Sequence, residues 1–109
     1  MLTESNKAPQ NFVPQNWSFN SNAVTLNACN IIQNGKVVSL FFSITPKTTG
    51  WITAGSGFPP AAALTATVGT GDGDGRAMAN ICRLTSTGEI QMYITDTAQS
   101  SYSLTYIAI

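Results

Sequence analysis

The sequence predicts an all-β fold, a β-sandwich or jelly-roll-like domain. Strict alternation runs through Glu89–Thr95, where Ile90, Met92 and Ile94 point one way and Glu89, Gln91, Tyr93 and Thr95 the other. Period-two alternation marks a half-buried strand. Runs rich in Val, Ile, Thr, Phe and Tyr recur at short spacing, separated by Gly, Asn and Pro turns, as in sandwiches and jelly rolls. Helix competes only at Pro60–Leu64, where three alanines favour it, but the following Thr-Ala-Thr-Val favours strand.

Residues 1–22 are rich in Asn, Gln, Ser and Pro, with Pro9 and Pro14 excluding regular helix. They read as an extended polar lead-in, anchored by Phe12, Val13, Trp17 and Phe19. Residues 23–109 are expected to form one β-sandwich domain. Ala23–Cys29 is its first strand, with Val24 and Leu26 on one face. Gln33-Asn34-Gly35-Lys36 is the strongest turn, since Asn-Gly supplies the two positive φ values of a type I′ hairpin. It leads into Lys36–Thr45, where Val38, Leu40, Phe42 and Ile44 share one face and Val37 and Phe41 stand on the other.

Pro46–Pro60 reads as a long irregular stretch with one short strand at Thr49–Thr53, and Gly55–Pro60 as non-regular. Ala61–Gly69 is expected as a strand with Leu64, Ala66 and Val68 inward. Gly75–Leu84, Glu89–Thr95 and Ser101–Ile109 complete the set. A chain that stops in a strand on an apolar residue implies an end tied into a sheet or buried between subunits.

One hundred and nine residues allow one domain, large enough to bury a core without metal or disulfides. Charged residues are only 9% of the chain, and five Lys+Arg balance five Asp+Glu. That excludes the basic surface nucleic acid needs, and an electrostatic membrane anchor. No apolar run is long enough for a spanning helix, so no membrane insertion is expected. The start, Met1-Leu-Thr-Glu-Ser-Asn6, lacks the basic and apolar regions of a signal peptide. Low charge, two apolar faces on Val37–Ile44 and the strand end together point to a homotrimer. Cys29 and Cys82 are expected as free, buried thiols, because one pair is no disulfide framework.

The chain contains no histidine. A Ser-His-Asp or Cys-His device is therefore excluded, and two cysteines alone make no standard zinc site. The acids are Glu4, Asp72, Asp74, Glu89 and Asp96. The adjacent pair shares one loop, unlike the opposed carboxylates of glycoside hydrolases. The reading is non-enzymatic, with no cofactor. Thr70–Arg76 resembles half a calcium loop, but the twelfth position from Asp72 is Arg83, so no EF-hand is completed. This Gly-Asp loop is an ordinary hairpin turn or a ligand contact.

Sugar rings present apolar C–H faces, and their sites combine a flat aromatic with oriented polar groups. Candidates are Trp51, Tyr93, Tyr102 and Tyr106, with Asp72, Asp74, Arg76 and Asn80. Trp17 and Tyr106 read better as packing residues. The expected saccharide set is Trp51, Asp72, Asp74, Arg76, Asn80 and Tyr93, centred on the Gly69–Arg76 loop.

The chain runs from a Trp lead-in through Val-Thr-Leu-Asn-Ala, Asn-Gly-Lys-Val-Val-Ser-Leu and a Gly-Phe-Pro-Pro loop. It continues through a Gly-Asp loop to Gly-Glu-Ile-Gln-Met-Tyr-Ile and a final Leu-Thr-Tyr-Ile. This order, over Trp17–Ile109, resembles the C-terminal head domains of phage tail fibres and baseplate receptor-binding proteins. Their proline loop often reads Leu-Pro-x-Gly-(aromatic)-Arg-Pro. Here it is Gly55-Ser56-Gly57-Phe58-Pro59-Pro60, without the Leu-Pro or the Arg. The resemblance implies a trimeric β-sandwich head that binds a host cell-wall or surface saccharide and joins other virion tail or baseplate proteins. Such a head is assembled in the host cytoplasm and acts extracellularly, behind a shaft that would precede the lead-in. A purely structural docking domain and a carbohydrate-binding module of a non-phage surface protein are the alternatives.

Overall fold

A computed structural model describes residues 11–72 and 75–109. The described chain is all-β. Its strands are β1 (Asn11–Phe12), β2 (Ser18–Phe19), β3 (Val24–Asn34), β4 (Val37–Pro46), β5 (Gly50–Ser56), β6 (Thr65–Gly71), β7 (Ala77–Leu84), β8 (Ile90–Ile94) and β9 (Ser100–Ile107). They form one antiparallel sheet in the order β1-β3-β4-β9-β6-β7-β8-β5-β2, nearly closed into a barrel. The lead-in helps to close it. Its β1 pairs with β3 at one edge, and its β2 pairs with β5 at the other. Trp17 stacks on Phe58, and Phe19 packs against Phe42.

Alternating side chains build the core. Val38, Leu40, Phe42 and Ile44 of β4 are buried, as are Ile90, Met92 and Ile94 of β8. Across the β4–β9 ladder Phe42 faces Tyr102 in register, with ring centroids 5.1 Å apart. Such a pair adds stabilisation beyond its buried area. Tyr106 is also buried, its hydroxyl donating to the Pro59 carbonyl at 2.8 Å.

Several local expectations are corrected. Asn34 pairs with Val37, so the hairpin loop is Gly35-Lys36. Only Gly35 has positive φ, at 61°. A glycine at the first central position, without positive φ at the second, is the type II′ requirement and not type I′. In β3 Leu26 is exposed although Val24 and its own cross-strand partner Ile44 are buried, and a bulge follows it, between Leu26 and Ala28. Strand β5 continues through Gly55 and Ser56, which had read as irregular.

The β6 expectation had the wrong face. Leu64 and Val68 point outward, while Gly69 and Gly71 are buried. The reason is Tyr102, whose ring occupies the space beside Gly69: a Cβ there would lie 2.7 Å from it. Contact between β6 and β9 is correspondingly brief, with only Thr70↔Ser101 and Gly71↔Ser100 in register. The C-terminal end is tied in by its backbone, Ile109 donating to the Pro60 carbonyl, while the Ile109 side chain is exposed.

Both cysteines are free, but only Cys82 is fully buried; Cys29 is half-buried. Desolvation pushes the Cys82 thiol up to about 12 and Cys29 to about 11.

Candidate functional site

Register places four large exposed side chains in one row across four strands. Trp51 of β5 faces Tyr93 of β8, Tyr93 faces Ile81 of β7, and Ile81 faces Val68 of β6. Trp51 is 57% exposed and Tyr93 38%. Interstrand spacing makes the row about 14 Å long. The Trp51 and Tyr93 rings are 5.3 Å apart and tilted by 60°.

The next row along the same strands is Ala66, Arg83, Gln91 and Thr53. Its Arg83 leans over Trp51, the guanidinium carbon 4.4 Å from the ring centroid. This is a cation–π contact. Arg83 Nε donates to Gln91 Oε1 at 2.9 Å, and Gln91 Nε2 donates to Glu89 Oε1 at 3.4 Å. A shallow cleft of about 220 Å³ lies here, lined by Trp51, Ile52, Thr53, Arg83 and Gln91. It offers an aromatic wall with a guanidinium, an amide and a hydroxyl beside it. That combination can hold a flat C–H surface and orient its polar edge.

Asp72 is elsewhere. Its carboxylate accepts from Ser101 Oγ, from Ser43 Oγ at 2.6 Å and from Gln99 Nε2 at 2.6 Å. The hydrogen bond from Ser101, then that from Ser43, holds the carboxyl below its ordinary value, with Gln99 adding to the effect against desolvation. These partners belong to β4 and to the start of β9, whereas Trp51 stands on β5, with β6, β7 and β8 between. The expected cluster of Gly-Asp loop and aromatics is therefore split. Asp74 lies outside the described residues. Arg76 is 3.8 Å from Asp96, in an exposed ion pair.

Asn80 is not a surface residue at all. It is 0% exposed, and its Nδ2 donates to the Asp96 carbonyl and the Tyr102 hydroxyl. Its Oδ1 accepts from the backbone N–H groups of Thr95 and Asp96. It pins the turn after β8 to the core. Tyr102 is likewise interior, its hydroxyl shared with Ser100 at 2.8 Å. Desolvation raises its pKa, against the hydrogen bonds from Ser100 and Asn80.

Sequence reasoning missed Arg83, Gln91 and Thr53. Their signal was present: each stands two residues from a member of the aromatic row and so shares its face. The pairing of β5 with β8 was needed to bring them together. A larger cleft, of about 560 Å³, runs between Val13 and Trp17 and strands β3, β4 and β9, and no charged side chain of a described residue lines it.

Among the described residues no group of three or more His, Cys, Asp or Glu side chains is placed to hold a metal. No protein-family model, curated protein or solved structure matches this chain.

Proposed function

We propose that this chain is a non-enzymatic receptor-binding head of a phage tail fibre or baseplate, and that it attaches to a host cell-surface saccharide through the Trp51 cleft. The observation that carries the reading is the solvent-facing Trp51–Tyr93 pair with Arg83, Gln91 and Thr53 at its edge. An aromatic face stacks on the C–H side of a sugar ring, while side chains beside it meet the hydroxyls. Asp72 leaves the binding set, because its own chain already occupies its oxygens.

The same reading holds the fold to be sandwich-like and the particle trimeric. The two-residue join between β6 and β9 divides the sheet into halves, β1-β3-β4-β9 and β6-β7-β8-β5-β2, which serve as the two layers. Val37, Phe41 and Ile107 stand exposed on β4 and β9, with Val37 and Ile107 in register, and form the subunit contact. A trimer mass in sedimentation is the expected result; a monomer at micromolar concentration would contradict it.

Single-site affinity is expected between micromolar and millimolar, about −8 to −4 kcal/mol, with avidity supplied by repeated copies. On a glycan array and on host cell-wall fragments, Trp51→Ala should lose binding and keep its melting temperature. Wild-type protein binding neither probe, or Trp51→Ala binding as well as wild type, would overturn the reading. The docking-domain alternative is favoured by Val68 and Ile81, which extend the row with apolar side chains suited to a protein partner.

A further inference from the structure

Four cations are present among the described residues: Lys36, Lys47, Arg76 and Arg83. Lys47 Nζ donates to the Ser21 carbonyl, and Arg76 lies near Asp96. Arg83 is set apart by its place over an aromatic ring. No carboxylate of a described residue lies within ion-pair distance of it; Glu89 is engaged by Gln91 instead. Its Nε is taken by Gln91 Oε1, which fixes the plane of the guanidinium. No described residue accepts from its two terminal nitrogens. The guanidinium also leans toward Trp51, whose partner Tyr93 is four residues along the chain from Glu89. A cation with no counter-charge among the described residues is thus held over an exposed aromatic, in a cleft that Thr53 also lines.

Resting on the saccharide reading of this site, we propose that the Trp51 cleft selects a sugar bearing an anionic substituent, with Arg83 as the residue that meets the charge. A guanidinium fork offers two parallel N–H groups to a carboxylate or a phosphate, and such bonds are about twice as strong as neutral ones. Nε is committed to Gln91, so the fork presented to a ligand is the pair of terminal nitrogens. Trp51 takes the ring face and Arg83 the acidic group. Gln91 is a positioning residue, acting through Arg83.

The test titrates the protein with glucose, galactose and mannose, each in its neutral, uronate and 6-phosphate form, and with inorganic phosphate alone. The readout is the Trp51 indole N–H resonance. The anionic forms of at least one sugar should bind about tenfold or more tightly than its neutral form, and this preference should fall with added salt. Arg83→Gln should remove the preference, bringing the affinity for the anionic form down to that for the neutral sugar. Arg83→Lys should keep part of it, which loss of structure would not do. Preference confined to uronates or to phosphates identifies the acidic group. Equal binding of neutral and anionic forms overturns this proposal and leaves the saccharide reading standing. Inorganic phosphate binding as tightly as the sugar phosphates also overturns it, because charge alone would then suffice. Failure of every sugar to move Trp51 overturns the saccharide reading itself, and this proposal with it.

Discussion

Tyr102 lies against Gly69, in a space that any side chain at residue 69 would fill. A Cβ at Gly69 would lie 2.7 Å from the Tyr102 ring and 2.9 Å from its hydroxyl. The same hydroxyl is bonded to Ser100 and Asn80, so the ring cannot swing aside without breaking both contacts. Gly69→Ala should therefore destabilise the fold by about 1–3 kcal/mol, as overpacking of a core does. Chemical denaturation measures it. A midpoint equal to wild type would show that the ring moves freely.

Asn80 uses both ends of its amide to tie the turn after β8 to the core. Asn80→Ala leaves the Thr95 and Asp96 N–H groups and the Tyr102 hydroxyl short of a partner. The expected loss is about 2–4 kcal/mol, from several unmade bonds in the interior. The turn after β8 should also open first, which hydrogen exchange at Thr95 and Asp96 would detect. Unchanged exchange at both amides would contradict this role.

Asp72 gives the acid limb of the stability curve a defined contributor. Its folded pKa lies below the ordinary aspartate value of about 3.9. The stabilisation is therefore present above the unfolded value and is lost as pH falls through the folded one. Asp72→Asn should flatten the decline of stability below about pH 4. Retention of the full wild-type slope would remove Asp72 as its source.

The two thiols should differ in reactivity. With values near 11 and 12, both are protonated at neutral pH. The thiolate is the reactive form, so native labelling should be slow. Half-buried Cys29 should label before Cys82. Two thiols should be titrated in denaturant without reductant, and fewer would reveal a disulfide.

Where a strand has one buried face throughout, its pattern was readable residue by residue. Val38 to Ile44 and Ile90 to Ile94 reached the core as their alternation implied. Where a neighbour changed the rule, the pattern misled. Leu26 is exposed beside a bulge although it pairs with buried Ile44, and the Tyr102 ring took the inner space of β6, so Leu64 and Val68 became surface. The second effect is not local in sequence: Tyr102 and Gly69 are 33 residues apart.

The candidate site divides in the same way. Trp51 and Tyr93 stood out as aromatics in polar surroundings, and the structure pairs them. Asp72 and Asn80 stood out by chemistry alone, and hydrogen bonds within the chain occupy both, while Arg76 stands in an exposed ion pair with Asp96. By itself the sequence determined the all-β class, the core faces of β4 and β8 and the absence of histidine chemistry, since each follows from residue type and period. Only the tertiary structure decided which polar residues stand beside Trp51. Strand order, set by long-range pairing, brings Arg83, Gln91 and Thr53 to one row, while Asp72, at the end of β6, is bonded to Ser43 of β4 and Ser101 of β9.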